Sequence, residues 1–553
     1  MKKNCVKRVL AFVMAFAMLL TLRFQAPVAL ADYSVSADIR SIANVPANLT
    51  GKTVIMHTND IHGAVSKYAY IASVKQNFQK RGANVILADM GDYSQGTPYV
   101  STSKGLDAVK MMNAAGYDLA TLGNHEFDYG YYKLMSNLSQ AKFKTICADV
   151  LGADGKPIVD PNYIYTSPAG LKIGFFGMET PETQTKVNPG LIQGITFLSK
   201  GQIYTCAQEQ IDTLKAQGVD LVICLAHLGV DDESAGDGHR SVDLYAKTKG
   251  IDLIIDGHSH TVMTKGAKGE PVQSTGTKAE TIGVVVIDDA SKQIEDRYLI
   301  NFDLLQQEVT TAAKANELFK AIDQQYGVVF AKSEVLLNGA KEPGNRTQET
   351  NLGDLITDAI MWSVLKAPGA LKVDADHVVA ITNGGGIRAT IEAGDVTKKD
   401  LNTVLPFGNT VSVVYVTGAE LLEALEASTF CTPKAVGGYP QTAGIKFTID
   451  TTKSFHKGPA YPASTYYKPA SINRVTIESI NDKPFSATDT YAVVTNNFCA
   501  AGGDTYYAFK SASEQFDTGI VMDEAVMEYV QDVLGGNITA AKYGAPRGDQ
   551  TQK

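Results

Sequence analysis

An α/β protein in two successive parts is the fold this sequence predicts, and three observations predict it. Between Thr53 and about Asp289, short apolar runs each end in a cluster of polar, chemically capable residues. Helix-like segments separate several of those runs. A helical stretch then precedes a second alternation of apolar runs and helices. At 553 residues, the chain also exceeds the ~250–300 residues at which single cores stop growing. Its 44% hydrophobic and 20% charged content is that of a folded globular protein and excludes disorder as the main state.

The amino-terminal residues read as a targeting segment. Lys2, Lys3, Lys7 and Arg8 precede an apolar stretch from Val9 to Leu22, and Ala29-Leu30-Ala31 supplies a cleavage pattern before Asp32. The apolar stretch falls short of the ~20 residues a membrane span needs. Residues 1–31 are therefore expected to be a cleaved signal peptide, and the mature protein to be secreted, extracellular or periplasmic, free of the membrane. The mature chain would carry 45 basic against 59 acidic residues, a net charge of −14. Such a surface repels polyanions, which argues against duplex nucleic acid as a partner. Five cysteines remain after cleavage, widely spaced and without a CxxC pair, so neither a disulfide framework nor a cysteine zinc site is indicated. Cys224, inside an apolar run, reads as a small buried residue.

The first domain, expected over residues 32–305, is organised by five strand-like runs. Thr53–Met56 leads into His57-Thr58-Asn59-Asp60-Ile61-His62. Val85–Leu87 leads into Asp89-Met90-Gly91-Asp92, and Leu119–Leu122 into Gly123-Asn124-His125-Glu126. Leu221–Leu225 leads into Ala226-His227, and Leu253–Ile255 into Asp256-Gly257-His258-Ser259-His260. Continuous runs of Val, Ile and Leu read as strands buried on both faces. Tyr70–Arg81 and Gly105–Ala115 read as intervening helices. Sites in α/β domains gather beyond the carboxyl ends of strands, and all five clusters occupy that place.

Residues 306–335 are expected to form a connecting helix, with Leu318, Phe319 and Ile322 at helical spacing. A second α/β domain is expected over residues 336–535, with helices at Leu355–Leu365 and Ala419–Ser428. Its strands are expected at Val378–Ile381, Val411–Val416, Arg474–Ile477 and Tyr491–Val494. Residues 536–553 are expected to be a polar tail.

Besides His57, five of the nine histidines, His62, His125, His227, His258 and His260, lie in the strand-end clusters, a concentration that scattered core or surface histidines would not produce. Side chains two apart in extended chain point to one side. Asp60 with His62, and His258 with His260, can therefore converge on an ion. Mixed His, Asp and Asn donors suit a divalent metal such as zinc or manganese. His57, His239, His377 and His456 receive no role. The absence of a Gly-Lys-Ser/Thr phosphate loop gives no indication of ATP-driven work.

The set Asp60-x-His62, Gly91-Asp92, Gly123-Asn124-His125-Glu126, Ala226-His227 and Gly257-His258-x-His260 resembles the calcineurin-like metallophosphatase superfamily. That resemblance implies a four-layer α/β/β/α sandwich carrying two divalent ions, zinc or manganese first, with calcium or cobalt as further candidates. Asp60, His62, Asp92 and His260 would hold one ion. Asp92, Asn124, His227 and His258 would hold the other, with Asp92 shared. Related enzymes often carry Gln or Asn where His260 stands. Two such ions lower the pKa of a shared water and neutralise phosphoryl charge. His125 and Asp128, three apart as on a helical turn, would form a catalytic pair, the aspartate orienting a histidine that stabilises the transition state or assists the leaving oxygen.

In the second half, Asn383-Gly384-Gly385-Gly386-Ile387-Arg388 follows a strand-like run; its glycines admit a ligand close to the backbone and Arg388 offers a planar cation to phosphate. Pro406-Phe407-Gly408-Asn409 and Asn497-Phe498 through Gly503-Asp504 place aromatic rings beside small polar residues, suited to a flat base. With Arg346 ahead of Asn351-Leu352-Gly353, these motifs resemble the carboxyl-terminal domain of the 5'-nucleotidase family, a likeness running over about residues 50–535. It implies that Phe407 and Phe498 stack the base, Asn409 contacts its edge and Asp504 binds ribose hydroxyls. Arg346, Asn383 and Arg388 would contact the phosphate side. A second arginine that some relatives use for phosphate is replaced by Gln348.

The expected activity is release of phosphate from nucleoside 5'-monophosphates. The alternatives are a 2',3'-cyclic-nucleotide phosphodiesterase with 3'-nucleotidase activity, a UDP-sugar hydrolase, or a silent nucleotide-binding surface protein. The nucleotide is the expected partner; the sequence does not choose between monomer and homodimer.

Overall fold

The computed structural model describes residues 35–553 apart from 232–233, 236–237, 302–305, 367–370, 463 and 513. The expected signal peptide and the domain boundary at residue 305 lie outside the described residues. Among these residues the first half forms two stacked sheets. One has seven strands in the order Ile39–Ser41, Gln293–Asn301, Ile282–Asp288, Lys52–Thr58, Asn84–Asp89, Leu119–Ala120 and Lys144–Thr145. The other runs Val262–Met263, Val272–Thr275, Leu253–Ile255, Leu221–His227, Lys172–Glu179 and Asn162–Thr166.

The alternation of side chains explains why the runs are apolar throughout. Ile55, Val285, Ile287, Ile223 and Leu225 point into the space between the sheets. Val54, Met56, Val284 and Val286 point the other way, onto helices Tyr68–Lys80 and Leu106–Ala115. Val222, Cys224 and Ala226 pack outward against helix Gly201–Ala216. The apolar residues of these central strands thus lose water on one face or the other, at ~1.5–3 kcal/mol for each large side chain. The product is the four-layer α/β/β/α sandwich. His57 belongs to this architecture rather than to the site. It is fully buried opposite Gly283, where a Cβ would lie 1.9 Å from its Nε2, so only glycine fits there. Burial pushes its imidazole down to about 3, keeping it neutral.

Two expectations need correction. The connecting helix over 306–335 is shorter: Val309–Tyr326 is helical, capped by the Glu308 carboxylate, which accepts from the amides of Thr310 and Thr311. Gly327 closes it, and Val329–Ser333 is instead a strand paired with Gly394–Thr397 and Asn537–Ile538. The β-branched pair Val328-Val329 favours extended chain over a further helical turn. The helix is also no free linker, because it lies against the first domain, with Tyr99 and Phe319 rings 4.7 Å apart. The second correction concerns the tail. Residues 536–553 are integrated into the fold: Asn537–Ile538 extends one sheet and Gln550–Gln552 pairs in parallel with Phe447–Ile449. Arg547 reaches Asp358 at 2.9 Å and Asp354 at 3.4 Å. This segment is held by backbone pairing, by charge and by the two buried side chains Ile538 and Tyr543, too few to give an apolar periodicity.

The second half is built on a five-stranded sheet ordered Pro440–Ala443, Val378–Asn383, Thr490–Asn496, Thr410–Thr417 and Glu514–Val521. Helices Asn351–Leu365 and Met522–Asp532 cover one face. Helix Gly418–Ser428 and the strands Ile445–Ile449 and Val475–Ile480 cover the other.

Candidate dinuclear metal site and substrate cleft

The strand ends of the first domain bring Asp60, His62, Asp92, Asn124, His227, His258 and His260 together. Three overlapping groups form: Asp60 with His62 and His260, His62 with Asp92 and His125, and Asp92 with His227 and His258. The backbone does much of the aiming. Asp60, His62, Asp92, His258 and His260 all have positive φ, between 45° and 73°. Non-glycine residues rarely sit there, and each such residue costs ~1–3 kcal/mol unless its surroundings fix it. The surroundings do fix it. The Asp60 amide donates to Gly91 O and the His62 amide to Asp92 O, both at 3.0 Å. The buried Glu126 carboxylate accepts from the amides of Asp92, Tyr93, Ser94 and Gly123 at 2.7–3.1 Å, clamping the two loops together. A Cβ at Gly123 would lie 2.5 Å from Asp92 Oδ1 and 2.8 Å from the His227 ring, so the approach requires glycine.

The donor spacing fits metal ions. Bonds of ~2.0–2.2 Å place neighbouring donor atoms roughly 3–3.6 Å apart. His227 Nε2 lies 3.2 Å from Asp92 Oδ2, His260 Nε2 lies 3.3 Å from Asp60 Oδ1, and His258 Nδ1 lies 2.9 Å from Asn124 Oδ1. His62 Nε2 and His260 Nε2 approach to 3.1 Å. Asp92 Oδ2 is also 3.8 Å from His62 Nε2, so this carboxylate faces both groups. Asp60 Oδ1 and His227 Nε2 are buried without a hydrogen-bond partner, 4.0 Å apart. Buried polar atoms normally find partners, and a cation supplies one here. The electrostatics agree. Burial, reinforced at His260 by Lys341, Arg388 and Arg346, holds His62 and His260 well below the usual imidazole range and leaves them neutral, as ligands must be. Burial opposes charge on both Asp92 and His227, yet His227 and His125 hold the Asp92 carboxyl well below its ordinary value and Asp92 holds the His227 imidazole well above its own, so a metal at His227 would have to displace that proton.

His125 and Asp128 also meet, with Nδ1 2.8 Å from Asp128 Oδ2. Three residues that sequence reasoning passed over complete this wall. Glu126 lay inside a quoted motif without a role. Glu182 accepts from both His258 Nε2 at 3.0 Å and His239 Nε2 at 2.9 Å, which gives His239 a place beside the cluster. The signal for Glu182 was available: the apolar stretch Ile173–Met178 is a sixth strand ending in Glu179-Thr180-Pro181-Glu182.

A cavity of about 220 Å³ lies between this wall and the second domain, lined by Asp92, Asn124, His125, Asp128, His258 and His260 on one side. On the other side Arg346, Asn383, Arg388, Phe407, Asn409, Phe498 and Asp504 line it, together with Lys341, while Lys186 joins the lining from the first domain. The Phe407 ring stacks on His125 at 5.5 Å and 26°, and the Arg388 guanidinium lies 5.8 Å from the same ring. Burial and the neighbouring Arg346 push Arg388 down to about 10, so it remains charged at neutral pH. Asn383 donates from Nδ2 to Asp504 Oδ2 at 2.8 Å, and Asn496 fixes Asn383 through its Oδ1 at 3.0 Å.

A sandwich fold with a His, Asp and Asn cluster at its strand ends defines a metallophosphoesterase, and residues 53–262 match the family described as calcineurin-like phosphoesterase. Residues 329–511 match the 5'-nucleotidase carboxyl-terminal domain. With both domains in one chain, the protein belongs to the 5'-nucleotidase family. It is 31% identical over 560 residues to the trifunctional nucleotide phosphoesterase protein YfkN of Bacillus subtilis, covering 92% of this chain but only 36% of that longer protein. Snake venom 5'-nucleotidase from Gloydius brevicauda is 27% identical, with 86% of each chain covered. The crystal structure of a 5'-nucleotidase precursor from Thermus thermophilus superposes with a TM-score of 0.76 at 26% identity, covering 91% of this chain and 99% of that one. Among the described residues no helix is long and apolar enough to cross a membrane.

Proposed function

We propose that the protein releases phosphate from nucleoside 5'-monophosphates, outside the cytoplasm, using two divalent ions. The observation that carries this reading is the single cavity that has the metal-ligand cluster on one wall and arginines, phenylalanines and Asp504 on the other. The names of the relatives, a nucleotide phosphoesterase and 5'-nucleotidases, support the substrate class. The basic residues and apolar stretch within 1–31 support export after cleavage.

Asp60, His62, Asp92 and His260 would hold one ion and Asp92, Asn124, His227 and His258 the other, zinc or manganese by the nature of the donors. When bound, such a pair acidifies water and neutralises phosphoryl charge. The chain's own residues do the rest. Arg346 and Arg388 hold phosphoryl oxygens, with Asn383 beside them. Phe407 and Phe498 take the base between aromatic faces, Asn409 reads its edge and Asp504 accepts from the ribose hydroxyls. Asp128 accepts the Nδ1 proton of His125 and so fixes the ring; His125 Nε2 then carries the proton delivered to the departing ribose 5'-oxygen. Phe407, stacked on that ring, keeps water from its face.

The test is phosphate release from 5'-, 3'- and 2',3'-cyclic nucleotides by protein stripped with a chelator and then resupplied with zinc or manganese. Activity on AMP that is lost on stripping and restored by metal is expected. A 3'- or cyclic-nucleotide rate exceeding that on AMP overturns the substrate assignment, and full AMP activity in the stripped protein overturns the metal assignment.

A further inference from the structure

We propose that Lys186 is a specificity-determining positioning residue: it keeps Asp504 ionised and in place to recognise the sugar hydroxyls of the nucleotide. The inference rests on the reading of Asp504 given above and adds a residue from the opposite domain that no motif pointed to.

Lys186 ends the short helix Thr183–Lys186, just beyond the strand Lys172–Glu179 of the first domain. Its ammonium crosses the cleft to lie 3.4 Å from Asp504 Oδ1, and it stands 4.0 Å from Glu182 Oε2. Both carboxylates are almost wholly buried, and the lysine side chain is only 12% exposed. The same junction is tied through the backbone, where the Asp504 amide donates to Thr185 O at 2.7 Å. That contact holds Asp504 at φ 49°, a conformation its own backbone disfavours.

The charge arithmetic explains the lysine. The junction of the two domains sets Asp504 on the same ammonium as Glu182, whose own oxygens are already engaged by His239 and His258. Two buried like charges repel strongly at low dielectric. One ammonium in contact with both removes the repulsion. Asn383 holds the other oxygen of Asp504 at 2.8 Å, so the carboxylate is steered from two sides. Without the lysine, Asp504 enters the junction undercompensated and either protonates or withdraws. In both cases it loses its strength as an acceptor for vicinal hydroxyls, while the phosphate and base contacts stand elsewhere in the cavity.

The experiment compares binding of AMP and 2',3'-dideoxyadenosine 5'-monophosphate to full-length, metal-stripped protein by calorimetry, so turnover does not intervene. Wild type is expected to favour AMP by about ten-fold or more, within the range for a buried charged acceptor. Lys186→Met should shrink that preference to about two-fold or less, and Lys186→Arg, which retains the charge, should restore most of it. An unchanged preference in Lys186→Met, or an equal loss of both ligands, overturns the proposal. Should Lys186→Met fail to fold, the arginine variant decides: a kept preference supports the charge and a lost one refutes it. A wild type that does not distinguish the two ligands refutes the ribose role of Asp504 and this inference with it. Phosphate release from AMP scores the nucleotidase reading separately.

Discussion

The two walls of the cleft are built differently. On the metal side, Asp60, Asp92, Asn124 and His227 are buried to 2% exposure or less, and the cluster's backbone is held in left-handed turns by carbonyls and by Glu126. On the substrate side Asn383, Phe498 and Asp504 are buried as well, but Arg346, Arg388, Phe407 and Asn409 are only partly buried and project from loops. The difference teaches where rigidity is needed. Donor atoms for a cation must stand within a few tenths of an ångström of their positions before the ion arrives. A base or phosphate can be gathered by side chains that settle as it binds. The metal wall should therefore respond to substitution mainly in kcat and metal content, and the substrate wall mainly in KM.

The largest break in that comparison comes at Asp92, the carboxylate that faces both ligand groups. Asp92→Ala is expected to lower kcat for AMP by roughly a thousand-fold or more. That exceeds the ~10–100-fold typical of residues that only support a ligand. Elemental analysis should find fewer than two ions per chain. A variant that keeps two ions and near-native kcat would remove Asp92 from the centre of the site. His125→Ala comes next, with kcat down ~10²–10⁴-fold, the usual worth of a positioned general acid. Its metal content should be unchanged, which separates proton delivery from metal binding.

How much of this contrast was legible in the sequence follows the same division. The convergence of these side chains was legible because its information is local: pairs such as Asp60-x-His62 and His258-x-His260 sit two apart at the ends of apolar runs, where geometry is set by the strand. The two-sided burial of those strands was legible for the same reason, since continuous Val, Ile and Leu admit few other readings. Glu182 was less visible, because its carboxylate reaches His258 from a strand end whose neighbours, Thr180 and Pro181, look like an ordinary turn. The contact of Lys186 with Asp504 could not be read at all, because it joins two domains across the chain and neither residue's surroundings mention the other. The polar strand Gln550–Gln552 was misread as a tail for a related reason. It is held by main-chain pairing with Phe447–Ile449, and main-chain hydrogen bonds leave no trace in side-chain pattern.

Glu182→Gln sharpens the comparison from the supporting layer. The amide keeps the shape but presents a weaker acceptor to His258 Nε2 and His239 Nε2. A ligand histidine whose far nitrogen loses its carboxylate is a poorer and less oriented donor. Metal affinity or kcat should fall by ~10–100-fold, less than for Asp92. Titration of the stripped protein with zinc, following activity and calorimetry together, measures both. A native affinity and native kcat would show that the Glu182 contacts are structural only.

Phe407→Leu is the smallest expected effect and the sharpest test of the divided walls, because this ring belongs to the second domain yet stacks on His125, the proposed proton donor. If its main service is to the base, leucine keeps the apolar volume but forfeits an aromatic face worth ~0.5–1.5 kcal/mol. KM for AMP should then rise by roughly two- to ten-fold, with kcat nearly unchanged, and p-nitrophenyl phosphate, which has no base, should feel less of it. If its main service is to His125, the loss appears instead in kcat, and equally for both substrates, because the imidazole would be exposed to water whatever phosphoester is bound. Steady-state kinetics on the two substrates decide between these. An effect confined to kcat would mean that the substrate domain completes the catalytic wall rather than merely facing it.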